Sequence, residues 1–215
     1  MKLRTVSLVD ALTDTLRARV LDGLVDPGVG LAENDVAVEY DVSRPTAKAA
    51  LAALVQEGLL RRDPHRSARV PALTSADVED LFLVRVPLEV AVVHALMQGG
   101  GVPSGAGDAV AALASVPPDA RHSVFVEADL GFHRALVDAV GSPRLSRMYG
   151  ALSGEIHLSM IQSREALGRD RIASEHRAVL EAMQRGDGET AERLMREHLE
   201  GARDALVRGV EARTP

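Results

Sequence analysis

The chain has 215 residues, 46% hydrophobic but only 2% aromatic, no cysteine and a formal net charge of −6. The lack of cysteine excludes disulfides and zinc–thiolate sites, and no stretch reaches the roughly 18 uninterrupted apolar residues of a membrane span, so a soluble, cytoplasmic protein without a membrane partner is expected. A core so poor in aromatics must be built from Leu, Val and Ala, which suits packed helices, and the length allows one large domain or two small ones.

From Ser7 to Leu24, apolar residues recur every four positions (Leu8, Leu12, Leu16, Val20, Leu24), which predicts a helix ended by Pro27-Gly28. Gly30-Leu31 then leads through a very short strand into Asn34–Leu60, which reads as two short helices joined by a tight turn, a helix-turn-helix. Ser43 is a good N-cap and Pro45 is tolerated in the first turn, where amides lack helical partners, so the second of these helices starts at Arg44. Ala47, Ala50, Leu51, Leu54 and Val55 form its apolar stripe, and Gly58 stops it. The stripe leaves Arg44, Pro45, Thr46, Lys48 and Ala49 outside. An exposed end with two cations, a hydroxyl and small residues can enter a DNA major groove, although an amphipathic helix with a solvated basic end has the same pattern.

Leu59–Arg62 and Ser67–Val70 look like two short strands turning at Asp63-Pro64-His65-Arg66, which completes a winged helix-turn-helix. Between residues 44 and 70 there are six basic side chains (Arg44, Lys48, Arg61, Arg62, Arg66, Arg69) and two acidic ones (Glu57, Asp63), a balance of +4, whereas the rest of the chain totals −10. A basic patch confined to one helix and its wing in an acidic protein is what phosphate contact requires.

Pro71–Thr74 reads as a linker, separating a DNA-binding domain at 1–72 from a second domain at 73–215. Thr74 or Ser75 caps a helix that runs to about Gln98, with acids in its early turns and Pro87 inside it as a source of a kink or a lost hydrogen bond. Breaks at Gly99–Pro103, Pro117-Pro118, Gly141–Pro143, Leu167-Gly168 and Gly186–Gly188 divide the remainder into helices of about 107–115, 121–140, 144–165, 170–185 and 188–210. The predicted fold is thus mainly α: the winged domain followed by an antiparallel bundle of six helices.

Asp129 and His133 are four apart, so on a helix they project from one face, as metal ligands or as a simple surface hydrogen bond. His176 precedes Asp187 by 11 residues and His198 follows it by 11, so the two arms of an antiparallel hairpin turning there bring both imidazoles to one height. One carboxylate and three histidines from three helices suit zinc, nickel or manganese, while some of the seven histidines are also expected to be solvated. His65, His94 and His122 receive no role, and Met148, Met160, Met183 and Met195 read as core filler.

GVGLAENDVAVEYDVSRPTAKAALAALVQEGLLRRDPHRSARV resembles the DNA-binding domain of the GntR family of bacterial transcription regulators, in its Gly-x-x-Leu start, its Val-Ser-Arg turn and its Ala-Leu-x-x-Leu helix leading to Glu-Gly-Leu. Lys48 stands where the family usually has arginine and Ser67 where the wing tip usually has glycine; lysine keeps the charge but loses the bidentate fork. The DNA contacts expected are Ser43, Arg44, Thr46, Lys48, Arg62, Arg66 and Arg69. RVPLEVAVVHAL, EADLGFHRAL, GSPRL and EHRAVLEAMQRGDGETAERLMREHL resemble the FCD ligand-binding domain of the FadR-type branch of that family, in its shorter six-helix variety. In metal-binding members the Asp and three His of these segments are ligands, which implies Asp129, His133, His176 and His198 here. Arg85 falls in the family's Arg-x-x-Leu-Glu pattern and is expected to receive an effector carboxylate, with an ion pair to Glu89 as the alternative; His157 lines the same cavity or lies on the surface.

The expectation is a transcription repressor, not an enzyme. As a homodimer it binds a palindromic double-stranded operator, and it senses a small carboxylate effector through one divalent metal per chain, with zinc ahead of nickel and manganese. A metal-dependent hydrolase carrying a nucleic-acid module is the rival from another class, disfavoured because no HExxH or nucleophile motif accompanies the ligands. A third reading has the same polar cluster bind the effector without a metal.

Overall fold

The computed structural model describes residues 7–64, 66–163 and 168–213. Among them are nine helices and one two-stranded sheet, and the chain divides into two compact units, Met1–Ala72 and Leu73–Pro215. No helix of the described residues is long and apolar enough to cross a membrane.

In the first unit α1 (Leu8–Leu21) is capped by Ser7, whose side chain accepts from the Asp10 amide. It stops earlier than Pro27-Gly28, because Gly23 adopts a left-handed conformation (φ +70°) and the Leu24 amide returns to the Arg19 carbonyl, closing a glycine C-cap. The expected stripe is also shorter. Residues four apart drift by about 40° per step around a helix of 3.6 residues per turn, so Leu12, Leu16 and Val20 are buried while Leu8 and Leu24 are exposed.

β1 (Gly30–Leu31) leads into α2 (Glu33–Glu39) and α3 (Arg44–Gln56). The turn between the two helices holds Asp41 at φ +50°, the one non-glycine residue with positive φ among the described residues. Ser43 caps α3 by accepting from the Thr46 amide, and Gly58 (φ +74°) ends it as the Leu59 amide reaches the Leu54 carbonyl. Ala47, Ala50, Leu51 and Leu54 are buried against α1 and α2; Val55 is only partly covered. The wing is slighter than expected. β2 (Ala68–Arg69) pairs antiparallel with β1, and Leu59–Arg62 contributes a single bridge, Arg61 opposite Arg69, rather than a strand. Leu59 and Leu60 are both buried in the core instead of alternating sides, which is incompatible with a half-exposed ribbon. His65, at the predicted turn, lies outside the described residues.

The second unit consists of α4 (Ser75–Gly99), α5 (Ser104–Ala114), α6 (His122–Ala139), α7 (Pro143–Gln162), α8 (Arg169–Gln184) and α9 (Gly188–Glu211). Thr74 and Asp77 form a reciprocal capping box at the start of α4. Pro87 does not break α4: its ring lies on the exposed side with Leu83, whose carbonyl would have received the missing amide. α5 begins three residues earlier than expected, and the predicted end of α7 at 165 lies outside the described residues. α4 packs on α9, α9 on α8, α6 on α5 and α7, around one core of Leu, Val and Ala with Phe82, Phe125 and Phe132. Met160, Met183 and Met195 are buried in this unit, but Met148 is exposed on α7.

Candidate functional site

Three helices converge on one buried polar cluster. α6 contributes Asp129 and His133, α8 contributes His176 and α9 contributes His198, and a ligand atom from each lies within 4.8 Å of the others. His176 Nε2 is 3.1 Å from both His133 Nε2 and His198 Nε2, and 3.5 Å from Asp129 Oδ1. All four residues are buried, the most exposed being His198 at 4%.

Two of these imidazoles are backed by carboxylates. His133 Nδ1 meets Glu89 Oε2 and His198 Nδ1 meets Glu175 Oε2 at 2.8 Å. Each carboxylate is gripped in turn by an arginine four residues earlier on its own helix, Arg85 Nε to Glu89 Oε1 at 2.6 Å and Arg171 Nε to Glu175 Oε1 at 3.0 Å. His176 has no such backing: its Nδ1 is buried without a hydrogen-bond partner, and its ring is held by stacking on Phe132, centroids 4.5 Å apart. Burial would raise the Glu89 carboxyl, but the adjacent His133 and Arg85 side chains outweigh it and hold the group at about 2. Burial holds His176 well below the usual histidine range, helped by repulsion from His198 and His133. It also lowers His198, against the opposing effect of the hydrogen bond that His198 donates to Glu175.

These observations fit a cation. Donation from Nδ1 of His133 and His198 to carboxylates turns the Nε2 lone pairs of both toward His176 Nε2, whose single proton can satisfy only one of them well. Asp129 Oδ1 is meanwhile a buried carboxylate oxygen without a hydrogen-bond partner. A divalent ion bound by four ligands at about 2.0–2.2 Å would satisfy all four atoms, and outer carboxylates on ligating histidines are the usual second shell of such centres.

Arg85 is fully buried and engaged with Glu89, the alternative foreseen from the sequence, and it also lines a small cavity with Asp129, Met160, Ile172, His198, Ala202 and Leu206. That cavity is on the scale of one water molecule. His157 is buried on α7 but is not part of its lining. The sequence points to Glu89 only as an ion-pair partner of Arg85, and gives Glu175 no role. Spacing alone does not mark them: the same arginine-to-glutamate spacing of four recurs at 177/181, 185/189, 193/197 and 196/200, and Arg193–Glu197 is an exposed surface pair.

In the first unit, Ser43, Arg44, Thr46 and Lys48 sit on the first turns of α3, with Arg44 and Lys48 exposed. The Ser43 and Thr46 hydroxyls lie 2.8 Å apart within the cap. Arg66 is exposed, while Arg69 pairs with Asp63, whose carboxyl it lowers. Glu33, at the start of α2, faces two of the expected contacts: Arg44 Nε at 3.2 Å and Arg62 Nη1 at 3.5 Å. Counted with Glu33, the six cations meet three acids, so the patch is less positive than the count over residues 44–70 implied.

Residues 8–70 match the pattern of the gntR family of bacterial regulatory proteins, and residues 80–201, more than half of the chain, match the FCD domain. The chain is 24% identical over 201 residues, 92% of its length and 88% of the relative's, to the "Probable D-xylose utilization operon transcriptional repressor" of Paenarthrobacter nicotinovorans. It is 35% identical over 83 residues, 39% of its length and 34% of the relative's, to the gluconate operon transcriptional repressor of Bacillus subtilis (strain 168). Among solved structures it resembles a GntR regulator from Rhodococcus sp. RHA1 (TM-score 0.82, 24% identity, 93% of this chain and 97% of that one) and E. coli McbR/YncC (TM-score 0.76, 19% identity, 95% and 99%). These relatives are regulators rather than enzymes, which leaves the hydrolase reading without support. The chain belongs to the gntR family and is a transcriptional regulator built from a gntR-type winged helix-turn-helix and an FCD domain.

Proposed function

We propose that this regulator is a repressor whose hold on its operator is controlled by a small carboxylate effector received at a metal centre in the helical unit. The observation that carries this reading is the convergence of the His133 and His198 Nε2 atoms on His176 Nε2, which lies 3.5 Å from the buried Asp129 Oδ1, with Glu89 and Glu175 behind two of the rings. Asp129, His133, His176 and His198 would hold one divalent ion; the three-imidazole, one-carboxylate donor set suits zinc, which we take first, and nickel, and suits manganese less. When bound, that ion supplies a Lewis-acidic position for an effector carboxylate.

The protein's own groups set the rest. Arg85 offers a fixed positive charge beside Asp129 and His198, while Glu89 keeps its guanidinium oriented and holds the proton of His133 on Nδ1. An organic acid is larger than the cavity between these groups, so binding requires its apolar wall, Met160 and Leu206 among it, to give way. Movement of α7 and α9 side chains is thereby tied to effector occupancy. His157, buried on α7 outside the cavity lining, joins the effector site only if that opening reaches it.

In the winged unit, Ser43, Arg44, Thr46 and Lys48 would enter the major groove while Arg62, Arg66 and Arg69 meet phosphates. One such helix reads few bases, so a homodimer on a palindrome is the economical arrangement. The sign of regulation follows the repressors among its relatives. Proteins selected on immobilised operator should be released by the cognate acid when metal-loaded and not after chelation; release that ignores chelation would sink the metal-dependent reading.

A further inference from the structure

We infer that Glu33 is a specificity-determining residue of the DNA interface, which orients Arg44 for base contact and at the same time weakens binding to unrelated DNA. This rests on the DNA-reading role proposed above. Arg44 is the first residue of α3 and its side chain is 68% exposed, so nothing on its own helix fixes it. Glu33 comes from α2, eleven residues earlier, and holds Arg44 by Nε at 3.2 Å. A carboxylate at Nε leaves the terminal Nη1–Nη2 pair of the guanidinium directed outward as a two-pronged donor, the form that matches guanine O6 and N7. A flexible arginine must lose rotamer freedom to make that contact, and a partner that has already restricted it lowers the cost.

The other oxygen of Glu33 faces Arg62 Nη1 at 3.5 Å, and the Glu33 side chain is itself only 20% exposed. Arg62 Nε is buried without a hydrogen-bond partner, and Glu33 is the counter-charge beside this half-buried cation. One carboxylate thus links the start of the recognition helix to the base of the wing. It also places a negative charge among groups that approach phosphates. Because sequence-independent affinity is carried by neutralised phosphates, that charge opposes every duplex, whereas only a duplex with a guanine under Arg44 gains from the orientation. The two effects act in opposite directions on specific and non-specific binding, which distinguishes them from a plain change in net charge.

The test uses full-length protein and duplexes selected by the wild type from a random library, with a scrambled duplex of equal composition as the non-specific probe. Glu33→Gln is expected to weaken the selected duplex by about tenfold, in the range of one lost bidentate base contact. It is expected to tighten the scrambled duplex several-fold, with a salt dependence steeper by about one unit for each cation released to phosphate. Glu33→Asp keeps the charge but cannot span both arginines, and is expected to weaken the selected duplex without tightening the scrambled one. In an Arg44→Ala background, Glu33→Gln should no longer weaken the selected duplex and should leave only the modest tightening seen with the scrambled one. Equal changes on both duplexes, or additivity of the Glu33 and Arg44 substitutions, would overturn the proposal. A wild-type selection that enriches no motif would overturn the DNA-reading assignment itself, and this proposal with it. Unfolding curves of each variant identify any that fail to fold, and loss of fold by both Glu33 variants would show a structural residue and also overturn it.

Discussion

His198 is tied to Glu175 through Nδ1 at 2.8 Å, and that carboxylate stays 30% exposed, whereas the corresponding partner of His133, Glu89, is buried to 2% together with Arg85. The two outer carboxylates therefore do the same job at different cost. Glu89→Gln leaves a buried guanidinium uncompensated and is expected to destabilise the protein by about 3–5 kcal/mol. Glu175→Gln is expected to cost under about 1 kcal/mol, since its arginine is half exposed. Both should weaken metal binding by about 10–100-fold. Denaturant unfolding and metal titration measure the two effects separately; equal destabilisation by both changes would contradict this asymmetry.

For the winged unit, Arg44→Ala is expected to lower operator affinity by about 1–3 kcal/mol per half-site if this residue reads a base edge. Unfolding should be unchanged, because Arg44 is exposed and its ion pair is a surface one. Unaltered affinity would remove Arg44 from the interface.

Arg66 is exposed in the wing, where the proposed interface sets it against phosphate. Arg66→Ala should weaken binding to operator and unrelated duplex alike and reduce the salt slope by about one unit. Loss confined to the operator, at constant slope, would show that Arg66 reads sequence.

The parts of the fold legible in the sequence were those encoded by local rules. Ser43, Gly58, the stripe Ala47–Leu54 and the six helical segments of the second unit declare themselves through capping, glycine and period 3.6. The equal arms about Asp187 foretold the 3.1 Å approach of His176 and His198, because an antiparallel hairpin converts sequence distance into height. What escaped were long-range pairings. Nothing local says that Glu33 reaches Arg44 and Arg62, that Glu89 meets His133 across 44 residues, or that Leu59 and Leu60 both turn inward and reduce the wing strand to a bridge. Gly23, rather than Pro27-Gly28, ends α1, because glycine just past a periodic stretch is the stronger stop.

The depressed histidines give the metal-free protein a defined pH response. His176 and His198 take up protons at lower pH when folded than when unfolded, burial being the main cause. Below the ordinary histidine value of about 6.5 the unfolded chain therefore binds more protons, and stability falls as pH drops through that value. Melting curves in chelator should show Tm declining from about pH 6.5 downward, and the decline should be shallower in His176→Asn, which lacks one of these groups. A variant slope as steep as that of the wild type would contradict this.

The metal centre is tested most directly by elemental analysis of protein purified without a histidine tag, combined with melting before and after chelation. A site that joins α6, α8 and α9 converts part of its binding energy into folding energy, so about one divalent ion per chain and a Tm lowered by chelator are expected. His133→Ala and His176→Ala should each lose the ion while the winged unit, with its own core, still binds operator. Well under one ion per chain, with zinc, nickel and manganese all failing to raise the melting temperature, would show that these four residues do not form a metal site.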